Sequence, residues 1–152
     1  PFAAPSLDCL DADGVRVRLE DLRGKNVLLV FYLGEECVHC MEQLRAIDGK
    51  KSAWEEQNAV VLAVSSASPE KNKSSLTLGD LGVELLSDKD HENARRFTSY
   101  DDFEELELHS TILIDAQGRV HWKRTGGDPF ADVDFLLAEL TRMNVAGEKR
   151  SN

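Results

Sequence analysis

The chain has 152 residues, of which 41% are hydrophobic, and this suits one folded domain rather than a disordered chain. Acidic residues outnumber basic ones 28 to 18, for a net charge of −10, which argues against nucleic acid or an anionic membrane as a partner. The longest apolar run, 27–33, is too short to cross a membrane. We expect a soluble protein, cytoplasmic or periplasmic. The lack of an initiator Met suggests processing or excision from a longer chain, with any targeting segment outside it.

The first half of the chain predicts strands alternating with helices. Residues 15–19 alternate between apolar and polar and indicate a half-exposed strand, whereas 27–32 are continuously apolar, as in a strand buried on both faces. A helix is predicted over 38–57 from its apolar face. Residues 59–64 form a second buried strand.

The second half continues this pattern and ends in a hairpin and a helix. It predicts a weak helix over 70–78, a strand over 83–86 and a short helix over 89–97. Strands over 111–115 and 119–123 are close enough to form an antiparallel hairpin. The closing helix is predicted over 129–143, with Asp128 as its N-cap. This order indicates an α/β fold with a mixed sheet covered on both faces.

Two cysteines, Cys37 and Cys40, lie between the buried strand and the first helix as Cys-Val-His-Cys. The free N–H groups and positive dipole of a helix N-terminus stabilise a thiolate, which favours reactive thiols at this place. The two-residue spacer lets the sulfurs bond across the first helical turn. His39, between them, adds positive charge when protonated. The pattern predicts a dithiol/disulfide switch.

A CxxC pair is also half of many zinc sites, which need two more ligands. The third cysteine, Cys9, is interpreted as a small apolar filler. The remaining histidines, His91, His109 and His121, show no paired spacing. We therefore predict no metal and no cofactor.

Several motifs together resemble the peroxiredoxin-like redoxins, the alkyl hydroperoxide reductase and thiol-specific antioxidant branch of the thioredoxin superfamily. These motifs are APSLD at 4–8, DG at 13–14, LEDLRGK at 19–25, VLLVFY at 27–32, and the hairpin segments LID at 113–115 and GRV at 118–120. The resemblance implies a thioredoxin fold with a peroxiredoxin-like N-terminal extension. It places a redoxin domain over 1–146 and leaves a polar tail over 147–152.

The chain departs from that branch at the predicted site. Cys40 falls at the position of the peroxidatic cysteine, and Cys37 falls where the branch carries a Thr. Leu33 replaces the usual Pro, and His109 aligns with an expected Arg, or with the cis-Pro that faces the sulfurs in thioredoxins. The resemblance therefore implies that the segment around His109 lies opposite the two cysteines.

Four residues near these positions are candidates for substrate binding or thiolate stabilisation: Glu36, His39, His109 and Ser110. None of them is predicted to hold a metal.

Three functions are compatible with this pattern. The first is a thioredoxin-like thiol–disulfide oxidoreductase, in which Cys37 attacks a partner disulfide and Cys40 resolves it. The second is a thiol peroxidase, in which Cys40 attacks a hydroperoxide and Cys37 resolves the sulfenic acid. The third is a non-enzymatic redox-sensing or docking module of a longer protein. The loss of the usual Pro, Thr and Arg favours the first function, whereas the peroxiredoxin-like motifs and their spacing favour the second. The expected partners are protein or small-molecule disulfides, hydroperoxides and an external thiol reductant.

Overall fold

The structure, a computed structural model, describes residues 1–79 and 81–151. The strands are β1 (Phe2–Ala3), β2 (Asp8–Leu10), β3 (Arg16–Arg18), β4 (Asn26–Phe31), β5 (Ala59–Ser65), β6 (Glu84–Ser87), β7 (Tyr100–Asp101), β8 (Leu106–Glu107), β9 (Ser110–Ile114) and β10 (Arg119–Thr125). The α-helices are α1 (Val38–Asp48), α2 (Lys51–Glu56), α3 (Pro69–Gly79), α4 (Glu92–Arg96) and α5 (Val133–Ser151). Short 3-10 turns cover Leu19–Leu22 and Lys89–His91.

Within the described residues, eight strands form one mixed sheet in the order β1-β10-β9-β4-β5-β6-β2-β3. The central strand β4 runs parallel to β5 and antiparallel to β9. Every residue of β4 is buried, which explains why its sequence is continuously apolar from Val27 onward. The predicted central mixed sheet flanked by helices is confirmed.

Successive side chains of β4 point to opposite faces of the sheet, and each face has its own core. Leu28 packs in the core formed with α1 and α5, which also contains Cys40. Leu29 packs in the core on the other face, which contains Cys9. We refer to these as the α1 face and the Cys9 face. The three cysteines are thus divided between two separate environments.

The N-terminal extension runs from one edge of the sheet to the other. β1 pairs with the edge strand β10, and the backbone N–H of Ala4 donates to the carbonyl of Gly118 at 2.9 Å. β2 then pairs with β6 at the far side and with β3, which forms the opposite edge. The first 18 residues thereby cover both edges of the five inner strands, which run from β10 to β6 in the sheet.

The predicted helix over 38–57 is two helices, α1 and α2. α1 ends at Gly49, a poor helix former, whose N–H donates to the carbonyl of Arg45 at 2.9 Å. The carbonyl of Ile47 accepts from the indole N–H of Trp54 at 2.7 Å. This bond holds α2 back against the end of α1. The predicted helix over 89–97 is likewise split into a 3-10 turn and α4.

The closing helix was predicted wrongly at both ends. It begins at Val133 rather than at Pro129, because Asp132, not Asp128, accepts from a helical N–H, that of Phe135 at 3.0 Å. It continues to Ser151, through residues predicted to be a polar tail. In the described part of the chain, no helix is both long and apolar enough to cross a lipid bilayer.

Candidate active site

The two cysteines lie where the chain leaves β4 and enters α1. Gly34 in the connecting loop has a φ of +130°, a conformation that favours glycine, and its carbonyl accepts from the N–H of Cys37 at 3.2 Å. Cys37 is the N-cap of α1, and its sulfur accepts from the backbone N–H of Cys40 at 3.3 Å. The sulfur thus does what an oxygen of Ser or Thr usually does at an N-cap.

Cys37 and Cys40 form a disulfide, with their Cα atoms 5.2 Å apart. Cys37 is half-buried, whereas Cys40 is 0% exposed and packs in the core of the α1 face. The two sulfurs of one bond therefore differ in access. An external thiol reaches Cys37 first.

His109 lies against this disulfide, although it is 72 residues away from Cys37 in the sequence. Its Nε2 atom is 3.7 Å from the Cys37 sulfur, and its Nδ1 atom is 3.0 Å from the carbonyl oxygen of Gly127. A carbonyl only accepts hydrogen bonds, so in the neutral ring Nδ1 carries the hydrogen. The lone pair of Nε2 then faces the sulfur.

Gln43, one turn after Cys40, was not among the predicted site residues. It is 3% exposed, and its amide nitrogen donates to Thr111 Oγ1 and to the carbonyl of Phe130, both at 2.9 Å. It therefore ties the helix that carries the cysteines to β9 and to the segment before α5. Its sequence signal was a polar residue on the otherwise apolar face of a predicted helix.

Ser110 follows His109 but points to the other side of the sheet. Its hydroxyl is 2.6 Å from that of Ser99 and donates to Thr125 Oγ1 at 3.0 Å. Thr111, the next residue of β9, has its side chain on the α1 face, where it accepts from Gln43. Because side chains alternate along a strand, Thr111 rather than Ser110 lies on the face of the sheet that carries the cysteines. A role for Ser110 toward the sulfurs stays a prediction without a supporting contact.

His39 and Glu36 are exposed and contact other residues. His39 Nδ1 is 3.4 Å from a carboxylate oxygen of Glu42. Glu36 accepts from the ammonium of Lys71 at 2.8 Å, and this hydrogen bond lowers the pKa of the Glu36 carboxyl. Their expected roles toward the sulfurs also stay predictions.

Cys37, Cys40 and His109 together offer three ligand atoms that lie within 4.8 Å of one another. In the part of the chain that the structure describes, these three side chains form the one cluster of His, Cys, Asp or Glu that could hold a metal ion. The expectation of no metal site rested on sequence spacing. The third candidate ligand, His109, lies just before β9, and spacing does not reveal its place beside the cysteines. The expectation of no metal stays a prediction.

These features define a thioredoxin-fold domain with a dithiol site at a strand-to-helix junction. The chain belongs to the AhpC/TSA family, whose sequence model matches residues 2–123. A putative peroxiredoxin bcp of Helicobacter pylori is 30% identical over 121 residues, which are 76% of this chain and 80% of that relative.

Solved structures show the same fold. The crystal structure of peroxidoxin BcpB from Mycobacterium tuberculosis superposes with a TM-score of 0.83 at 20% identity, covering 93% of this chain and 95% of that one. Bacterioferritin comigratory protein of Xanthomonas campestris gives a TM-score of 0.80 at 18% identity, with 90% of each chain covered.

Family membership confirms the resemblance drawn from the motifs, and the chain is an oxidoreductase of the thioredoxin superfamily. The family and the names of its relatives fit the thiol peroxidase alternative better than the thioredoxin-like reductase, the function first favoured from the sequence.

Proposed function

We propose that the protein is a thiol peroxidase that reduces hydroperoxides, with Cys40 as the attacking sulfur and Cys37 as the resolving sulfur. The observation that carries this proposal is the Cys37–Cys40 disulfide at the N-terminus of α1, in a chain of the AhpC/TSA family. The names of the relatives support it, as does the alkyl peroxide reduction ascribed to the Xanthomonas campestris protein.

In the first step the Cys40 thiolate attacks one oxygen of the hydroperoxide. An S–O bond forms as the O–O bond breaks, and the other oxygen leaves as an alcohol, or as water, after taking a proton. Cys40 is oxidised by two electrons to the sulfenic acid. The positive end of the α1 dipole stabilises the negative charge on the Cys40 sulfur and on the leaving oxygen.

In the second step the Cys37 sulfur attacks the sulfenic acid of Cys40. Nε2 of His109, 3.7 Å from that sulfur, takes the thiol proton. The S–O bond breaks, the hydroxyl leaves as water with one proton, and the disulfide forms. The Gly127 carbonyl keeps the imidazole in the tautomer that can accept this proton.

In the third step an external thiol attacks Cys37, the half-buried sulfur. Cys40 leaves as a thiolate, which is the form that attacks the next peroxide. A second thiol of the reductant then frees Cys37. One hydroperoxide and two thiols become an alcohol, a water and a disulfide.

A second candidate function is disulfide reduction. One accessible and one buried cysteine suit a protein that exchanges disulfides with a partner through Cys37. Leu33, Cys37 and His109 also stand where the resemblance expects Pro, Thr and Arg, which in that branch surround the peroxide.

The test measures removal of hydrogen peroxide and of tert-butyl hydroperoxide by the reduced protein, with dithiothreitol as the thiol. We expect the wild type to turn over and Cys40→Ser to be inactive. Reduced Cys37→Ser, freed of dithiothreitol before peroxide is added, should consume one equivalent and stop, with a sulfenic acid on Cys40 that dimedone traps. Cys9→Ser is the matched control and should behave as the wild type.

Two results would contradict the proposal. Dimedone labelling of Cys37 in Cys40→Ser, with none on Cys40 in Cys37→Ser, would exchange the two roles. A wild type that reduces insulin disulfides but removes peroxide no faster than dithiothreitol alone would establish the reductase instead.

A further inference from the structure

We propose that the reduced protein binds one Cu(I) ion through Cys37, Cys40 and His109. The proposal is independent of the peroxidase activity, because it concerns the reduced dithiol in the absence of peroxide.

The spacing of the ligand atoms suits one metal ion. Thiolate and imidazole ligands at ordinary bond lengths of about 2.3 and 2.0 Å from a shared metal lie roughly 3.5–3.8 Å apart. The Cys37 sulfur and His109 Nε2 are 3.7 Å apart, and all three ligand atoms lie within 4.8 Å of one another. Once the disulfide is reduced, the two sulfurs need only separate across the first turn of α1.

The imidazole is already oriented as a ligand. Metal-binding histidines usually donate their other ring N–H to a carbonyl or carboxylate, which fixes the tautomer and the ring. His109 has this partner in the Gly127 carbonyl, at 3.0 Å from Nδ1. Nε2 therefore presents its lone pair to the sulfurs with no rearrangement of the ring.

The type of donor selects the metal. Two thiolates and one imidazole are soft to borderline ligands, which favour Cu(I) and Zn²⁺ over Mg²⁺ or Ca²⁺. Structural zinc sites are almost always four-coordinate, and a Cys₂His zinc site adds a water as its fourth ligand. Cu(I) needs no such fourth ligand, because it is stable with two or three soft ligands. The described residues bring three such donors together, so the set fits Cu(I) better than Zn²⁺.

Binding and disulfide formation exclude each other. The disulfide takes two electrons from a thiol reductant to become two thiols, and Cu(I) then displaces up to two thiol protons with no change in its own oxidation state. The half-buried positions of Cys37 and His109 give the ion access to the site.

The test titrates the reduced protein, without oxygen, with Cu(I) held by the coloured chelator bicinchoninate. We expect the wild type to remove one Cu(I) per chain and the disulfide form to remove none. His109→Ala should bind at least about tenfold more weakly, as is typical of losses in the coordination environment. The matched controls His91→Ala, whose ring contacts Glu107, and Cys9→Ser should bind as the wild type does.

X-ray absorption of the wild-type complex tests the ligand set without any substitution. We expect two sulfur neighbours and one nitrogen neighbour around copper. The proposal is wrong if His109→Ala binds as tightly as the wild type, if no nitrogen neighbour is seen, or if the reduced protein retains Zn²⁺ but not Cu(I). None of these results bears on peroxide turnover.

Discussion

Cys9 and the Cys37–Cys40 pair lie on opposite faces of one sheet, and the surroundings of Cys9 and Cys37 differ in burial, nearby charge and hydrogen bonding. Cys9 is 3% exposed in β2, where burial, and then the nearby carboxylates of Asp88 and Asp8, raise its pKa to about 12. Cys37 is half-buried at a helix N-terminus, with a backbone N–H and an imidazole near its sulfur.

The two regions also use their buried polar groups differently. On the Cys9 face, the carboxylate of Asp88 accepts from the N–H groups of Asn93 and Ala94 and from the Asn93 side chain, so it fixes the start of α4. On the α1 face, Gln43 is a neutral link between a helix, a strand and a loop. The first network also ties α4 to β2, because the Asn93 side chain bonds the backbone of Asp8, and the second joins the parts that make the site.

The largest expected difference between the two regions is in alkylation of the reduced protein. At pH 7 a thiol with a pKa of about 12 is ionised roughly 10³-fold less than an ordinary cysteine. We therefore expect iodoacetamide to modify Cys37 while Cys9 stays unmodified, as followed by mass spectrometry of the two peptides. Similar rates of alkylation at Cys37 and Cys9 would contradict the raised pKa of the Cys9 thiol.

The next effect concerns the histidine of each region. His109→Ala removes the base beside Cys37 and should slow disulfide formation after one equivalent of peroxide by about 10²-fold. His91, which is 3.3 Å from Glu107 and stacks on Tyr100 near Cys9, is the matched control. His91→Ala should leave the rate within a factor of two, as read from stopped-flow tryptophan fluorescence. Equal effects of both changes would show that His109 acts only structurally.

A smaller effect is expected on stability from Gln43→Ala. The substitution leaves Thr111 and the Phe130 carbonyl without their buried donor, which should lower the free energy of unfolding by about 1–3 kcal/mol. Urea denaturation measures it. Gln117→Ala, at an exposed position in the β9–β10 turn, serves as the control and should change stability by less than about 0.5 kcal/mol.

The smallest effect is the pH dependence that Cys9 adds to stability. Its pKa is raised from 9.0 to about 12 on folding, so its contribution is complete below pH 9 and is lost as pH rises toward 12. Between pH 8 and pH 10 the reduced wild type should lose about 1.4 kcal/mol more stability than Cys9→Ala. Urea titrations at both pH values measure this, and parallel losses in the two proteins would contradict the raised pKa.

Local patterns in the sequence were sufficient for most of the elements and for the cysteine pair. The apolar run of β4 and the hairpin of β9 and β10 depend on residues close in the chain, so periodicity and turn spacing predict them. The disulfide is equally local, because two residues between cysteines at a helix start leave their sulfurs within bonding reach. The family motifs of the first 32 residues are also read directly from the sequence.

Only the tertiary structure decided which residues surround that disulfide. His109 was a candidate by resemblance, but its approach to Cys37 joins residues 72 positions apart in the sequence. Its tautomer is fixed by the carbonyl of Gly127, 18 residues further along the chain. Those contacts also explain the error in the closing helix. The carbonyls of Gly127 and Phe130 accept from His109 and Gln43, so the segment before Asp132 serves the site instead of beginning α5. A sequence pattern reports which residues are buried together locally, whereas these hydrogen bonds join segments that meet only when the sheet and its helices have packed.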